Sequence, residues 1–282
     1  MLDALYGHSA ADGFHFLKDV WAQKSHFGDQ SKHLAENLEK AIDATERFAP
    51  RREGDFQLAR EATQKVNKTQ RERIWERSVF KRWNDPDIAP VNSCWDRVIG
   101  FQIPLFANQE KAGWGYIDLL GFIGNGTPSV IELKKDPRSR TSGGVDNTES
   151  PLRIVLEAAA YAVALRANWS NFREEFVDRL TQLPVSREVI SGIPDELHEV
   201  RLVGAAPAGY WLDWLPVTEK GRTISNSTWQ SFSSLLDALG KAGFPTSFVS
   251  LSGDSDQPDT LAAQPLVKFP LLSKPFGTMS HQ

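Results

Sequence analysis

The sequence predicts an α/β protein: a mixed central β-sheet flanked by helices, with a helical N-terminal region packed on that core. Three observations carry the prediction. Apolar spacing changes from helical to strand-like after Asn84-Asp85-Pro86-Asp87. A meander of three strand-like runs follows, with Gly124-Asn125-Gly126 as the turn between the last two. Beyond it helical and strand-like runs alternate, which covers both faces of one sheet with helices.

In chain order, Ser31 to Arg47 reads as one amphipathic helix with Leu34, Leu38, Ile42 and Phe48 on a single face. A second helix is expected from Phe56 to Trp83, interrupted near Asn67; it holds no proline, and Asn84-Asp85-Pro86-Asp87 and Pro90 end it. Val98 to Phe106, Trp114 to Ile123 and Ser129 to Lys134 form the meander, with Pro104 interrupting the first run. Asp136 to Pro151 is polar, contains Gly143-Gly144 and reads as a mobile loop. Leu152 to Asn168 and Asn171 to Leu183 are helical, and Glu199 to Ala206 is a fourth strand ending in a turn at Gly204-Ala-Ala-Pro207. Ser227 is a candidate N-cap for a helix from Thr228 to Ala242, which Gly243 closes before a fifth strand from Thr246 to Leu251. Four prolines after Gly253 give that stretch the look of an extended arm. The organisation is therefore a helical region over 1–94, an α/β core over 95–252 and an arm over 253–282.

Composition narrows the function classes. With 282 residues, 40% hydrophobic and 24% charged, the chain can build a large core without disulfides or a structural metal. The single cysteine, Cys94, excludes a disulfide framework and a cysteine-rich zinc site, and reads as a structural thiol. No apolar run is long enough for a membrane span, and Asp3, His8, Asp12 and Asp19 break up any signal-peptide core. A soluble cytoplasmic protein is expected. The six histidines have no HxxxH or HExxH spacing, and neither a GxxxxGK[ST] loop nor a GxSxG elbow is present. Among nine tryptophans, Trp211 and Trp214 are read as core, with base stacking as the competing role; Trp75 and Trp83 are read the same way.

The net charge of −4 hides an uneven distribution. Residues 51–82 carry ten basic and five acidic side chains, a local excess of five positive charges. This block, from Arg51-Arg52 through Arg82, is either a solvated helix with ion pairs such as Glu72–Glu76 against Arg73–Arg77, or a phosphate-facing patch.

The meander puts charges where a sheet does not favour them. Trp114 to Ile123 and Ser129 to Lys135 are apolar on both faces, like central strands, yet they carry Asp118, Glu132 and Lys134. If the hairpin is centred on Asn125, Leu120 faces Val130 and Asp118 faces Glu132, with carboxylates ~5 Å apart and the Lys134 ammonium one step beyond. Opposed like charges destabilise a sheet, and a divalent cation such as Mg²⁺ would offset this with hard oxygen ligands. The lysine would then orient or deprotonate an attacking water, or balance charge, in hydrolysis of a phosphodiester. The competing reading is a solvent-exposed strand end in which Glu132 merely pairs with Lys134 or a neighbour.

Asp118, thirteen intervening residues, then Glu132-Leu133-Lys134 resembles the core of the PD-(D/E)XK nuclease superfamily, and so does the order helix, three-strand meander, helix, strand. The resemblance spans about Glu72 to Leu251 and implies a restriction-endonuclease-like core. It implies that Asp118 and Glu132 bind the metal, that the Leu133 carbonyl completes the ligand set and that Lys134 is catalytic. A glutamate from the preceding helix would join them; Glu76 is the first candidate and Glu72 the second. Where some branches have Gln-x-x-x-Tyr, this chain has Glu157-Ala-Ala-Ala-Tyr161. That leaves Glu157 as an accessory carboxylate or as a partner of Arg153 or Arg166. Ile117, in place of proline before Asp118, is a second departure.

If Glu76 faces the metal, Arg73, Arg77 and Lys81 of the same helix would lie near a nucleic-acid backbone. The activity implied is a Mg²⁺- or Mn²⁺-dependent nuclease, endo- or exonuclease, with DNA preferred over RNA as partner, no membrane, and a homodimer left open. The alternatives are a catalytically silent nuclease-fold scaffold that binds nucleic acid or protein, and an accidental motif on another α/β fold.

Overall fold

The computed structural model describes residues 13–15, 17, 27–58, 71–92, 94–105, 114–135, 149–212, 214 and 226–266. The N-terminal helical stretch is two helices, α1 (Phe27–Glu36) and α2 (Leu38–Phe48), where the apolar spacing predicted one. Asn37 leaves the helical region at φ −126°, and its side-chain amide donates to the His33 carbonyl at 3.0 Å. Phe48, six residues past Ile42 in the same helix, falls off the buried face and is 54% exposed.

The helix predicted from Phe56 starts later. Asp55 and Gln57 both sit at φ +58°, and the Phe56 amide donates to both Glu175 carboxylate oxygens at 2.9 and 3.1 Å. These contacts hold 55–57 as irregular chain docked on a later helix. The break expected near Asn67 lies outside the described residues. Helix α3 runs Arg71–Asn84.

A six-stranded sheet comes next, in the order β1-β2-β3-β4-β5-β6. Its strands are β1 (Arg97–Pro104), β2 (Tyr116–Phe122), β3 (Pro128–Leu133), β4 (Arg201–Pro207), β5 (Thr246–Ser252) and β6 (Ala262–Pro265). The meander β1–β3 is antiparallel, β3, β4 and β5 are mutually parallel, and β6 returns antiparallel. Pro104 ends edge strand β1, where a missing amide costs little. The β2–β3 turn is closed by the Gly126 amide on the Ile123 carbonyl at 2.7 Å, with Gly126 at φ +83°.

Two expectations shift here. Gly204 to Pro207 is not a strand-end turn but the second half of β4, hydrogen-bonded between β3 and β5. Four-residue β6 lies in the stretch read as an arm, too short and proline-flanked to announce itself. The Asp136–Pro151 loop falls mostly outside the described residues.

Helices α4 (Pro151–Ala167), α5 (Trp169–Thr181), α6 (Arg187–Ser191), α7 (Ala208–Leu212) and α8 (Asn226–Lys241), with a 3-10 turn at Pro258–Thr260, complete the described elements. Helix α4 opens on Ser150, whose hydroxyl caps the Arg153 amide, with Pro151 in the first turn. It is buried along almost its whole length, so its apolar side chains run all round it. Gly204 lets it sit close to the sheet: a Cβ there would lie 2.8 Å from Ile154 and from the Phe248 ring.

The sheet separates two cores. One gathers α4, α5 and α8 with Leu120, Val130 and Leu202; the other gathers Val79, Phe80 and Trp83 of α3 with Leu119, Ile131 and Val203. Trp211 and Trp214 are buried in the first, which settles their packing role. Cys94 is a fully buried free thiol. No described helix is long and apolar enough to cross a membrane.

Candidate active site

The ends of β2 and β3 open into a cleft of about 280 Å³ between the N-terminal halves of α3 and α4. The predicted hairpin register holds: Leu119 pairs with Ile131 and Leu120 with Val130. One step further Asp118 reaches across, and its Oδ2 accepts the Leu133 amide at 3.1 Å. In this structure the main-chain group of Leu133 that meets a carboxylate is thus its N–H.

Lys134 is buried, so it is no solvent-exposed strand end, although Glu132 does pair with it as that reading had it. Its Nζ lies 2.6 Å from Glu132 Oε1, donates to Glu157 Oε2, and lies 3.4 Å from Glu149 and 3.9 Å from Glu72. The Glu157 alternatives resolve into a combination: it enters the cleft on the Lys134 side and also takes Arg153, 3.1 Å away and one turn earlier on α4. Arg166 goes elsewhere, to Glu46 and the Phe244 ring. Tyr161 is buried beside Glu157 in the cleft wall, where a side chain at Gly115 would strike its hydroxyl at 2.8 Å.

Glu76 and Glu72 both line the cleft, in different places. Glu76 is 3% exposed and its Oε2 accepts Gln102 Nε2 at 2.5 Å; the same nitrogen lies 3.3 Å from Asp118 Oδ1. Glu72 is at the more open rim, on the Lys134 side. Glu76 is therefore the glutamate grouped with Asp118.

Gln102, Glu149 and Arg153 make the cleft as much as the predicted residues do. Gln102 had a signal: it is the sole polar side chain in the apolar run Val98 to Phe106. Glu149, Arg153 and Glu157 recur every four residues, the spacing of one helix face.

Burial and crowding decide the protonation states. Burial, reinforced by Asp118 and Glu72, pushes Glu76 up to about 9. Burial also lifts Asp118, to about 7, against the pull of Lys134. The two carboxylates on Lys134 move apart: burial and Asp118 hold Glu132 well above its usual range, whereas Glu157, despite its burial, is drawn down to about 2 by Lys134 and its hydrogen bonds. Lys134 stays charged, because Glu132 and Glu157 outweigh its own burial.

Among the described residues, no three Asp, Glu, His or Cys side chains already stand as a metal cage. The donors nonetheless fit a hard cation. Glu132 Oε2 is buried and accepts no hydrogen bond from a described donor, and burial raises the neighbouring Glu76 and Asp118 carboxyl groups, a shift that a bound cation would oppose. Mg²⁺ needs only one or two carboxylates alongside its waters. Asp118, Glu132 and Glu76 are the side chains able to hold it.

The basic block divides. Arg73 is exposed and lines the cleft, Lys81 is exposed and Arg77 half-buried further along α3. Arg51 and Arg52, expected at the head of the same patch, belong to the fold: Arg51 donates to the Ala167 carbonyl, and buried Arg52 donates to Gly54 and lies 5.6 Å over the Phe56 ring. Arg60, Lys65 and Lys68 lie outside the described residues.

Neither a family model, nor a curated protein, nor a solved structure matches this chain.

Proposed function

We propose that the chain is a Mg²⁺- or Mn²⁺-dependent nuclease with a restriction-endonuclease-like core, hydrolysing phosphodiester bonds in DNA in preference to RNA. The observation that carries this reading is the gathering of Asp118, Glu132, Lys134 and Glu76 from three elements into one polar cleft. The succession α3, β1–β3, α4, β4 is also the order that the resemblance implies. A divalent ion bound there would supply Lewis acidity toward a phosphate oxygen and lower the pKa of an attacking water.

The chain's own residues do the rest. Asp118 and Glu132 present the hard oxygens, with Glu76 beside them and the Leu133 carbonyl as a further donor. Lys134, charged between Glu132 and Glu157, is poorly placed to act as a base; it orients Glu132 and offers positive charge where negative charge builds on the phosphate. Arg73 and Arg153 provide the other positive charges of the cleft, against six carboxylates. A cation bound there would add positive charge that favours a phosphodiester in the cleft.

The test is incubation with supercoiled plasmid, linear duplex, single-stranded DNA and RNA, with Mg²⁺, Mn²⁺ or a chelator. Metal-dependent cleavage, fastest on a DNA substrate, is the expected result. No cleavage of any substrate, together with no heat of Mn²⁺ binding, would overturn the reading in favour of a silent scaffold.

A further inference from the structure

Gln102 has a backbone that a strand does not ordinarily tolerate. It sits at φ +51° within β1, in the left-handed region that side-chain-bearing residues seldom occupy. The strand changes faces there. Phe101 packs in the α3-side core and Ile103, two residues on, in the α4-side core, although residues two apart on a regular strand share a face. Opposite, Leu119 and Ile117 divide in the same way. The bend turns the Gln102 carboxamide into the cleft, with its nitrogen 2.5 Å from Glu76 Oε2 and 3.3 Å from Asp118 Oδ1.

Those two oxygens come from α3 and β2, and a single neutral NH₂ group meets both. A cation held by the same oxygens would draw on lone pairs that the amide hydrogens now face, and its charge opposes theirs, so amide and cation compete. The cleft has an independent opening for a cation in Glu132, which is 4% exposed and whose Oε2 accepts no hydrogen bond from a described donor. We propose that Gln102 is an internal competitor for the divalent ion: its carboxamide ties Glu76 to Asp118 and contends with an incoming ion for their oxygens. The inference rests on the cleft being a cation site. It adds a positioning residue that sets the metal concentration at which the site fills.

The decisive variants are Gln102→Gly, which suits a positive φ and removes the donor, and Gln102→Met, which keeps the bulk and removes the donor. Mn²⁺ binding is read by calorimetry and metal-free stability by thermal melting. Both variants should bind Mn²⁺ roughly fivefold more tightly, the order of one net hydrogen bond, while Gln102→Met melts earlier without metal. A residue with only a structural role would move stability but not raise affinity. Unchanged or weaker Mn²⁺ binding by the folded variants, with wild type binding normally, overturns the competitor role and leaves the site assignment standing. No Mn²⁺ binding by wild type overturns both.

Discussion

Lys134 Nζ, just past the end of β3, lies 2.6 Å from Glu132 Oε1 two residues back in the chain, and also donates to Glu157 on the helix that covers the strand. One ammonium thus joins sheet to helix at the mouth of the cleft. Lys134→Ala would leave those carboxyl groups buried around a missing charge. It should destabilise the metal-free protein by about 3 kcal/mol near neutral pH, and by less in acid, where a proton can replace the lost cation. Urea unfolding at two pH values checks this; an equal loss at both would contradict it.

The raised carboxyls give the metal-free protein an inverted pH dependence. Glu76, lifted to about 9, and Asp118, lifted to about 7, keep protons in the fold that the unfolded chain releases near pH 4. Their contribution is present in full below that pH and is lost as pH rises through 7 and then 9. Melting temperature should therefore fall across this window, and Glu76→Gln should raise it at pH 9 by roughly 3 °C or more. Millimolar Mg²⁺ should oppose the fall, because it binds the deprotonated carboxylates. A flat profile that Glu76→Gln does not alter would count against protonated Glu76 and Asp118.

The fit of α4 on the sheet holds Glu157 against Lys134. Gly204→Val would drive a side chain into Ile154 and Phe248, where even a Cβ comes within 2.8 Å of each. The expected cost is about 2 kcal/mol from overpacking, together with weaker Mn²⁺ binding as Glu157 and its lysine separate. Thermal melting and calorimetry read the two effects; an unchanged melting temperature would mean that the close approach is not maintained in solution.

Charge reversal at Arg77 and Lys81 should weaken nucleic-acid binding and lower the salt slope of log K by up to about 2. An unaltered slope would return α3 to a solvated helix. Arg52→Glu makes a contrast, since it breaks hydrogen bonds within the fold and should appear in stability.

What was legible in the sequence depended on whether the deciding forces were local. Gly124-Asn125-Gly126 sets the hairpin centre through turn chemistry, so the register bringing Asp118 toward Glu132 could be counted off. The i,i+4 repeat on α4 made Glu157 and Arg153 readable as a pair. Gln102 stood out as the sole polar side chain of its run, but its entry into the site was not readable, because no glycine marks the left-handed backbone that turns it there. Arg51 and Arg52 looked like part of a basic patch because a count of charges is blind to docking on α4 and α5. The break at Asn37 is similarly hidden, since Leu34 and Leu38 keep helical spacing across it.

The central claim is that Asp118 and Lys134 serve one metal-dependent hydrolytic site. It is tested most directly by comparing plasmid cleavage by wild type, Asp118→Ala and Lys134→Ala in Mg²⁺ and in Mn²⁺, at a temperature where circular dichroism shows all three folded. A loss of about 100-fold or more in both variants is predicted. Cleavage at the wild-type rate by both would contradict it.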